Sequence, residues 1–405
     1  AQYYREILPV AAQYEIGISH VKGKAAQIVR VKDGFRIMTD AGIFEARAVV
    51  LALGLLSVDR YPELSGAPGY QAEPWAPGDF AARIEDGRRV AILGMGPTAI
   101  DWALQLSERD LDHPVVLASP SGRLPAVRPV SSLDAAAGLV DPTLLADYGS
   151  RRPFSPDLVD FIIFGILDRF GISWEQLRSY CSLSAGTPRE ILERTLAASD
   201  SPQALFEALK VLDRLAPTLW RWSSEAGQAR IMGKWAKIHA QLSYAIPATN
   251  GAALLAQLDG GRLIARGGLI GARRAGSGFE LDFSGEPAPV TADILINATG
   301  FEGRLRQANN ILVRALLKEG LLHEGRYGGA IVDPATGRVL DPKGRRVDGL
   351  FVAGGSLMRS AAYVVNSLLG TSEQAIKVGV ECARYLRAQG AEPHKVRSDE
   401  YEFVI

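Results

Sequence analysis

Cysteine is nearly missing. Two residues, Cys181 and Cys382, stand among 405, and no Cys-x-x-Cys occurs. A disulfide framework, a structural zinc site and a dithiol redox motif therefore find no support. The five histidines, His20, His113, His239, His323 and His394, include no pair at metal-ligand spacing, and each reads as a surface or satisfied residue. No Ser-His-Asp or Cys-His arrangement can be argued. Charge of one sign is not in excess either: 45 Lys plus Arg balance 45 Asp plus Glu. That balance argues against broad capture of nucleic acid or of an anionic membrane. Long apolar runs are absent as well. "FIIFGIL" at 161–167 is far too short to span a bilayer, and the expected location is the cytoplasm. The first residue is Ala1, as in a processed or truncated chain, so a signal peptide cannot be judged from it.

What is present is an ordinary globular composition, 47% apolar and 22% charged, in a chain long enough for two or three domains. Residues 1–14 read as the end of an amphipathic helix, and "IGISHV" as a short strand. "AAQIVRVKDG", "GFRIMTDAG" and "IFEARAVVLALG" then predict a meander of strands with tight turns, ending at Gly54. Residues 55–87, rich in Pro and Gly, read as a connector. From 131 to 245 the pattern turns helical. "SPDLVDFIIFGILDRFG", "SWEQLRSYC", "TPREILERTLAA" and "SPQALFEALKVLDRLA" carry Ser/Thr-x-x-Glu/Asp or early-proline start signals, and the block reads as an insertion. Residues 262–300 return to strands. "SGFELDFSGEPAPVTADILINATG" repeats the plan of "DGFRIMTDAGIFEARAVVLALG": the Gly-Phe turn lies 20 residues before Gly54 in one copy and 22 before Gly300 in the other.

Between the copies lies "VAILGMGPTAIDWAL" at 90–104, a G-x-G-x-x-A turn (Gly94, Gly96, Ala99) between an apolar strand and an apolar helix opened by Pro97. The first glycine allows the tight turn and the second lets backbone approach a pyrophosphate. The small third residue lets helix and strand pack closely, with the phosphate at the helix N-terminus. After the next strand stands "LASPSGRLPAVR", with Ser119, Ser121, Arg123 and Arg128 and no carboxylate. A hydroxyl and a guanidinium there suit a 2′-phosphate, so NADPH is expected over NADH. The segment "WRWSSEAGQARIMGKWAKIHAQLSY" is read either as the lining of a substrate pocket or as an aromatic helix packed on the core.

"AVVLALG", "VAILGMGPTAIDWAL", "DILINATGFEG" and "GLFVAGG" stand in the order of the FAD/NAD(P)-binding flavoproteins. The chain resembles the flavin-containing monooxygenases and thioredoxin-reductase-like enzymes over about two thirds of its length. "YQAEPWAPGDFAARIEDGRRVAILGMGPTAID" with "SPSGRLP" is similar to a bacterial group of FAD/NAD(P)-binding proteins. The resemblance implies an α/β fold of two Rossmann-like dinucleotide-binding domains with a helical insertion. The FAD domain is discontinuous, and its first glycine loop is not in this sequence. The expected parts are 1–65 (FAD domain), 66–130 (NADPH domain), 131–245 (helical insertion), 246–289 (NADPH domain, return) and 290–405 (FAD domain). It also implies dinucleotide-cofactor contacts at Gly54 and Gly300 and FAD at Gly354, Gly355 and Ser356, with Thr371 or Ser372 capping a helix whose amides face the flavin. The family's strand ends in Gly-Asp; here Gly355 replaces the aspartate. The implied activity is NADPH-to-flavin hydride transfer, foremost in a monooxygenase acting on a small molecule. The alternatives are an NADPH-dependent reductase or dehydrogenase, or a non-catalytic nucleotide-binding subunit. The implied partner is a segment or subunit supplying the missing FAD loop.

Overall fold

A computed structural model describes residues 9, 13, 17–58, 60–74, 80, 84–85, 87–109, 111–129, 141–182, 186–200, 203–301, 303–363 and 368–390. The helix expected over 1–14 lies outside these residues except at positions 9 and 13, and His394 lies outside them too. Two compact units result. One draws on residues 1–55, 303–361 and 365–405, the other on 56–302 and 362–364.

The first unit opens with an antiparallel meander of β1 (Ala25–Val31), β2 (Gly34–Thr39) and β3 (Gly42–Ala46), followed by β4 (Val49–Leu51). Among the described residues of "IGISHV", 17–21, no strand forms. Residues 17–22 join no ladder, and pairing begins at Ala25, where β2 offers a partner.

The second unit is built on a five-stranded parallel sheet. Its strands are β5 (Tyr70–Gln71), β6 (Val90–Leu93), β7 (Val115–Ala118), β8 (Leu263–Arg266) and β12 (Ile294–Asn297), in the order β5-β12-β6-β7-β8. Part of the expected connector thus becomes the edge strand β5. Residues 290–302, expected with the FAD domain, fall in this unit because β12 pairs with β6.

All four residues of β6 are buried because both faces of the sheet are covered. Val90 and Ile92 point to a cluster with Ile100, Ala103 and Leu106 of α1 (Pro97–Ser107). Ala91 and Leu93 point the other way, to Leu269, Phe279 and Leu281 of a second meander, β9 (Leu269–Ala275), β10 (Gly278–Phe283) and β11 (Val290–Ala292).

The helical block fills the crossover from β7 to β8. Its helices are α2 (Pro142–Arg151), α3 (Pro156–Arg169), α4 (Trp174–Ser182), α5 (Pro188–Ala197), α6 (Ala204–Trp222), α7 (Glu225–Arg230), a π turn (Ile231–Trp235) and α8 (Ala236–Ser243). The last helix before β8 is α9 (Ala248–Asp259). Three of the start signals act as expected: Ser155 accepts from the N–H of Leu158, Ser173 from that of Gln176, and Thr187 with Glu190 closes a full capping box. The fourth differs, since α6 has Gln203 as N-cap without a side-chain bond, and Ser201 lies outside the described residues.

The first unit resumes with α10 (Ile311–Lys318), β13 (Arg338–Leu340), β14 (Arg346–Val352) and α11 (Leu368–Ala388). β14 runs parallel to β4, as β5 does to β12. The two meanders repeat in detail. A Cβ on Gly34 would stand 2.2 Å from the carbonyl of Ala46, and one on Gly278 2.4 Å from that of Ala292. The following residues, Phe35 and Phe279, are both fully buried. Phe35 lies under Gly349, and Phe279 under Gly69. Each ring contributes about 2–3 kcal/mol of apolar burial.

Arg89 and Asp293 latch the parallel sheet where β6 and β12 begin. Asp293 accepts from the backbone N–H of Arg89 at 2.9 Å and from its Nε and Nη2 at 3.1 and 2.8 Å. These bonds hold the carboxyl at about 2, against an ordinary 3.8. A depressed folded value stabilises above the unfolded pKa and is lost as pH falls from about 4 toward 2. Because the Arg89 side chain is 45% exposed, the contribution is about 1 kcal/mol. Asp293→Asn is therefore expected to lower the urea midpoint at pH 7, and to flatten its decline between pH 4 and 2 relative to the unsubstituted protein.

Candidate functional site

The strand order of the second unit reverses at β6. The crossover from β6 leads to β7 on one side, while β12 lies on the other, and such a switch point opens a crevice at the carboxyl ends of the strands. The residues at those ends are the glycine turn and the segment Ala298–Gly300. Gly94 has φ +116°, and a Cβ there would stand 2.2 Å from the Ala298 carbonyl oxygen. This glycine is required by the fold itself. Gly96 is different. It is the N-cap of α1, in extended backbone, and a Cβ there would meet nothing within 4 Å. The space it leaves open stands before a helix start with no side-chain cap, which suits a phosphate. Pro97 begins the helix with φ already suited to it, and fully buried Ala99 lets the first turn sit against the sheet.

Gly300 has φ +101° and open space at its Cβ position. The strand end that carries it is fixed by Asn297, a residue the sequence reading passed over. Its buried amide donates to the carbonyls of Val58 and Ala72 at 2.7 and 3.0 Å, and its Oδ1 accepts from the Thr299 hydroxyl at 2.8 Å. The available signal was a lone polar residue closing the apolar run "DILIN".

At the end of β7 the two residues expected at a 2′-phosphate behave differently. Ser119 is only 7% exposed, and its hydroxyl accepts the backbone N–H of Gly122 at 3.0 Å. It shapes the turn. Arg123 is exposed, with no side-chain partner among the described residues. Arg128 is tied to the Ala245 carbonyl at 3.2 Å.

In the first unit Gly54, Gly354, Gly355, Ser356 and Thr371 converge. Gly355 has φ +62° and ψ −163°, and a Cβ there would lie 1.9 Å from the Gly54 carbonyl oxygen. That crossing forbids any side chain, the family's aspartate included. Ser356 donates its N–H to the same oxygen at 3.0 Å. Gly54 itself has φ +67° and open space at its Cβ position, the kind of cradle a ligand can approach. Thr371 is not a cap. α11 is already helical at Leu368, and Thr371 Cγ2 lies 2.7 Å from where a Cβ on Gly354 would stand.

The aromatic segment divides between core packing and the lining of a cavity. Trp220 is buried, Arg221 stacks on Trp222 and Tyr244 is exposed, while Trp235 and His239 line a cavity. His239 is satisfied as expected, its Nε2 lying 2.5 Å from Asp213 Oδ1. No cluster of three metal-ligating side chains occurs among the described residues. Burial raises the Cys382 thiol above its ordinary pKa, contrary to what a nucleophile needs. No helix among the described residues is long and apolar enough to cross a membrane.

Comparison with known proteins places the fold. The chain superposes on L-lysine 6-monooxygenase from Pseudomonas syringae with a TM-score of 0.55 at 16% identity, covering 94% of this chain and 74% of that one. It superposes on the ornithine N-hydroxylase of Kutzneria sp. 744, solved with reduced FAD, NADP+ and L-ornithine, with a TM-score of 0.51 at 16% identity. That alignment covers 96% of this chain and 77% of the hydroxylase. The fold is the one these flavin enzymes share. In sequence, the chain is 31% identical over 119 residues to ferredoxin–NADP reductase from Bradyrhizobium sp. (strain ORS 278), a match spanning 28% of this chain and 31% of the reductase. No family model matches.

The contrast between the two glycines of the turn can be measured. Gly94→Ala is expected to destabilise the fold by several kcal/mol, because its Cβ would clash with backbone at a positive φ. Gly96→Val should keep the unfolding midpoint within about 1 kcal/mol and abolish NADPH binding in a calorimetric titration. Unchanged affinity in Gly96→Val would remove the nucleotide from this turn.

Proposed function

We propose that this protein is a flavin-dependent NADPH oxidoreductase, foremost a monooxygenase acting on a small molecule. The observation that carries this reading is the glycine turn at the switch point of a parallel sheet, with open space at Gly96, inside a fold whose meander-and-strand plan occurs twice. One copy suits NADPH and the other FAD. Gly94, Gly96, Pro97 and Ala99 would hold the NADPH pyrophosphate against α1, and Gly300 would border it. Arg123 would pair with the 2′-phosphate, on a loop shaped by Ser119. Gly54, Gly354, Gly355, Ser356 and Thr371 would form the part of the FAD cradle that this sequence contains. When bound, a flavin would supply the redox chemistry between NADPH and oxygen or another acceptor. The chain supplies orientation, phosphate contacts and exclusion of water. The absence of an acid–base constellation from the sequence reading accords with chemistry carried by the cofactor.

The duplicated plan also supports a further strand beside β4. In the second unit β12 lies between β5 and β6, and Ile296 is fully buried. In the first unit β4 pairs with β14 only, among the described residues, and Val50, which matches Ile296 in the repeat, is 41% exposed. We assign to that edge a strand and glycine loop for the FAD pyrophosphate, from a segment of the same polypeptide or from a partner subunit. An unpaired edge of this kind is otherwise prone to foreign pairing. The similarity to ferredoxin–NADP reductase supports a second reading, reduction of an acceptor without oxygen insertion.

The full-length protein is expected to show flavin absorption bands that bleach on anaerobic addition of NADPH and return with air. A colourless protein that takes up no FAD would overturn the reading. Arg123→Ala is expected to weaken NADPH binding about tenfold or more, the magnitude of one charge-assisted contact, and to leave NADH nearly unchanged. Equal loss for both coenzymes in parallel titrations would refute the 2′-phosphate assignment.

A further inference from the structure

The helical block contains a cavity that the nucleotide turn does not use. Its walls come from α3, α4, α6, the π turn and α8, with Tyr363 closing one side, and it holds about 580 Å³, mouth included. Interiors normally pack without such gaps, and a void between helices lowers stability in proportion to its volume.

Two irregularities border this cavity. Pro217 sits inside α6, so the Asp213 carbonyl loses the helical N–H it would otherwise receive. Across from it the helix α7–α8 widens into the π turn Ile231–Trp235, a feature that recurs at functional sites. Both helices depart from regular geometry where they face the cavity: Ala216 and Leu219 line it beside Pro217, and Ile231 and Trp235 line it from the π turn.

The wall is braced from behind. Trp235 donates its indole N–H to Asp160 at 2.7 Å. Lys234 bonds the other oxygen of Asp160 at 3.0 Å, and its ammonium lies 4.7, 5.0 and 4.6 Å from the ring centres of Phe164, Trp174 and Trp235. Such cation–π and hydrogen-bond contacts oppose inward collapse of the indole.

Among the described residues no Asp, Glu, Lys or Arg lines the cavity. An ammonium or carboxylate brought into it would lose its hydration with no ionic partner. Of the polar rings on its wall, Trp235, His239 and Tyr363, His239 is fixed through Nε2 by Asp213, which leaves Nδ1 to meet a ligand.

We propose that this cavity binds an uncharged, largely apolar small molecule, aromatic or aliphatic, carrying one hydrogen-bonding group directed at His239, and that this is the enzyme's substrate class in place of a zwitterionic amino acid. The word substrate rests on the flavin-dependent reading above; binding does not.

The test uses 2-naphthol, naphthalene and L-ornithine with the full-length protein, by calorimetry without added cofactor. Saturable binding of 2-naphthol at one site per chain is expected. Leu209→Trp and Ala216→Phe, which fill the cavity, should each weaken it about tenfold or more, with circular dichroism and thermal unfolding establishing that at least one variant is folded. His239→Phe should weaken 2-naphthol about tenfold, the loss of one hydrogen bond, and leave naphthalene within about twofold. Absence of saturable binding, indifference of a folded filling variant, or displacement of naphthol by L-ornithine would overturn the site. In the flavin-loaded protein 2-naphthol should accelerate NADPH consumption. Binding without acceleration, in a protein whose flavin NADPH still reduces, would overturn the substrate role alone, and failure of NADPH to reduce the flavin would instead implicate the underlying functional reading.

Discussion

The second unit depends on one close approach. Two parallel strands, β6 and β12, end side by side, and the chain leaving β6 must pass the Ala298 carbonyl at a distance no side chain allows. Gly94 satisfies that constraint, and the turn it permits aims the start of α1 at the crevice between the strand ends. Everything proposed for the coenzyme follows from this geometry. Gly96 can leave space for a phosphate because Gly94 has already set the path of the backbone. Asn297 then ties the end of β12 to the carbonyls of Val58 and Ala72, so the opposite lip of the crevice is fixed too.

The same solution occurs in the first unit in altered form. Gly355 crosses Gly54 even more closely than Gly94 crosses Ala298. Glycine at 355 is therefore required by packing, and any side chain at that position would displace the Gly54 loop. Two meanders built on Gly34-Phe35 and Gly278-Phe279 bury their aromatic rings beneath glycines of the neighbouring parallel strands, Gly349 and Gly69. The equivalence extends from sequence spacing to the atoms each glycine avoids.

The helical block obeys different rules. Its helices are set individually by caps and prolines, but their arrangement leaves an apolar cavity where one helix contains Pro217 and another a π turn. Lys234, half-buried among three aromatic rings, shows that a positive charge in an apolar sequence run can be structural.

Much of this was legible in the residues. Apolar runs marked β6, β7 and β12, because strands covered on both faces need no alternation. The Thr187–Glu190 pair marked a helix start, because a capping box is local. The Gly-Phe repeat marked two related meanders. Other features were not legible. Tyr70–Gln71 is a strand only because β12 offers it an edge, and residues 17–21 are not one because no strand pairs with them. Thr371 looked like a cap until α11 was found to begin at Leu368. Ser119 looked like a phosphate ligand until its burial and its bond to Gly122 were seen. The sequence by itself determined the glycine turn, the duplicated plan and the helix starts, since these depend on backbone conformation and on neighbours a few residues away. Only the tertiary structure decided which glycine is left with open space, which is pressed against backbone, and that His239 lines an apolar cavity, because those depend on atoms brought together from distant parts of the chain.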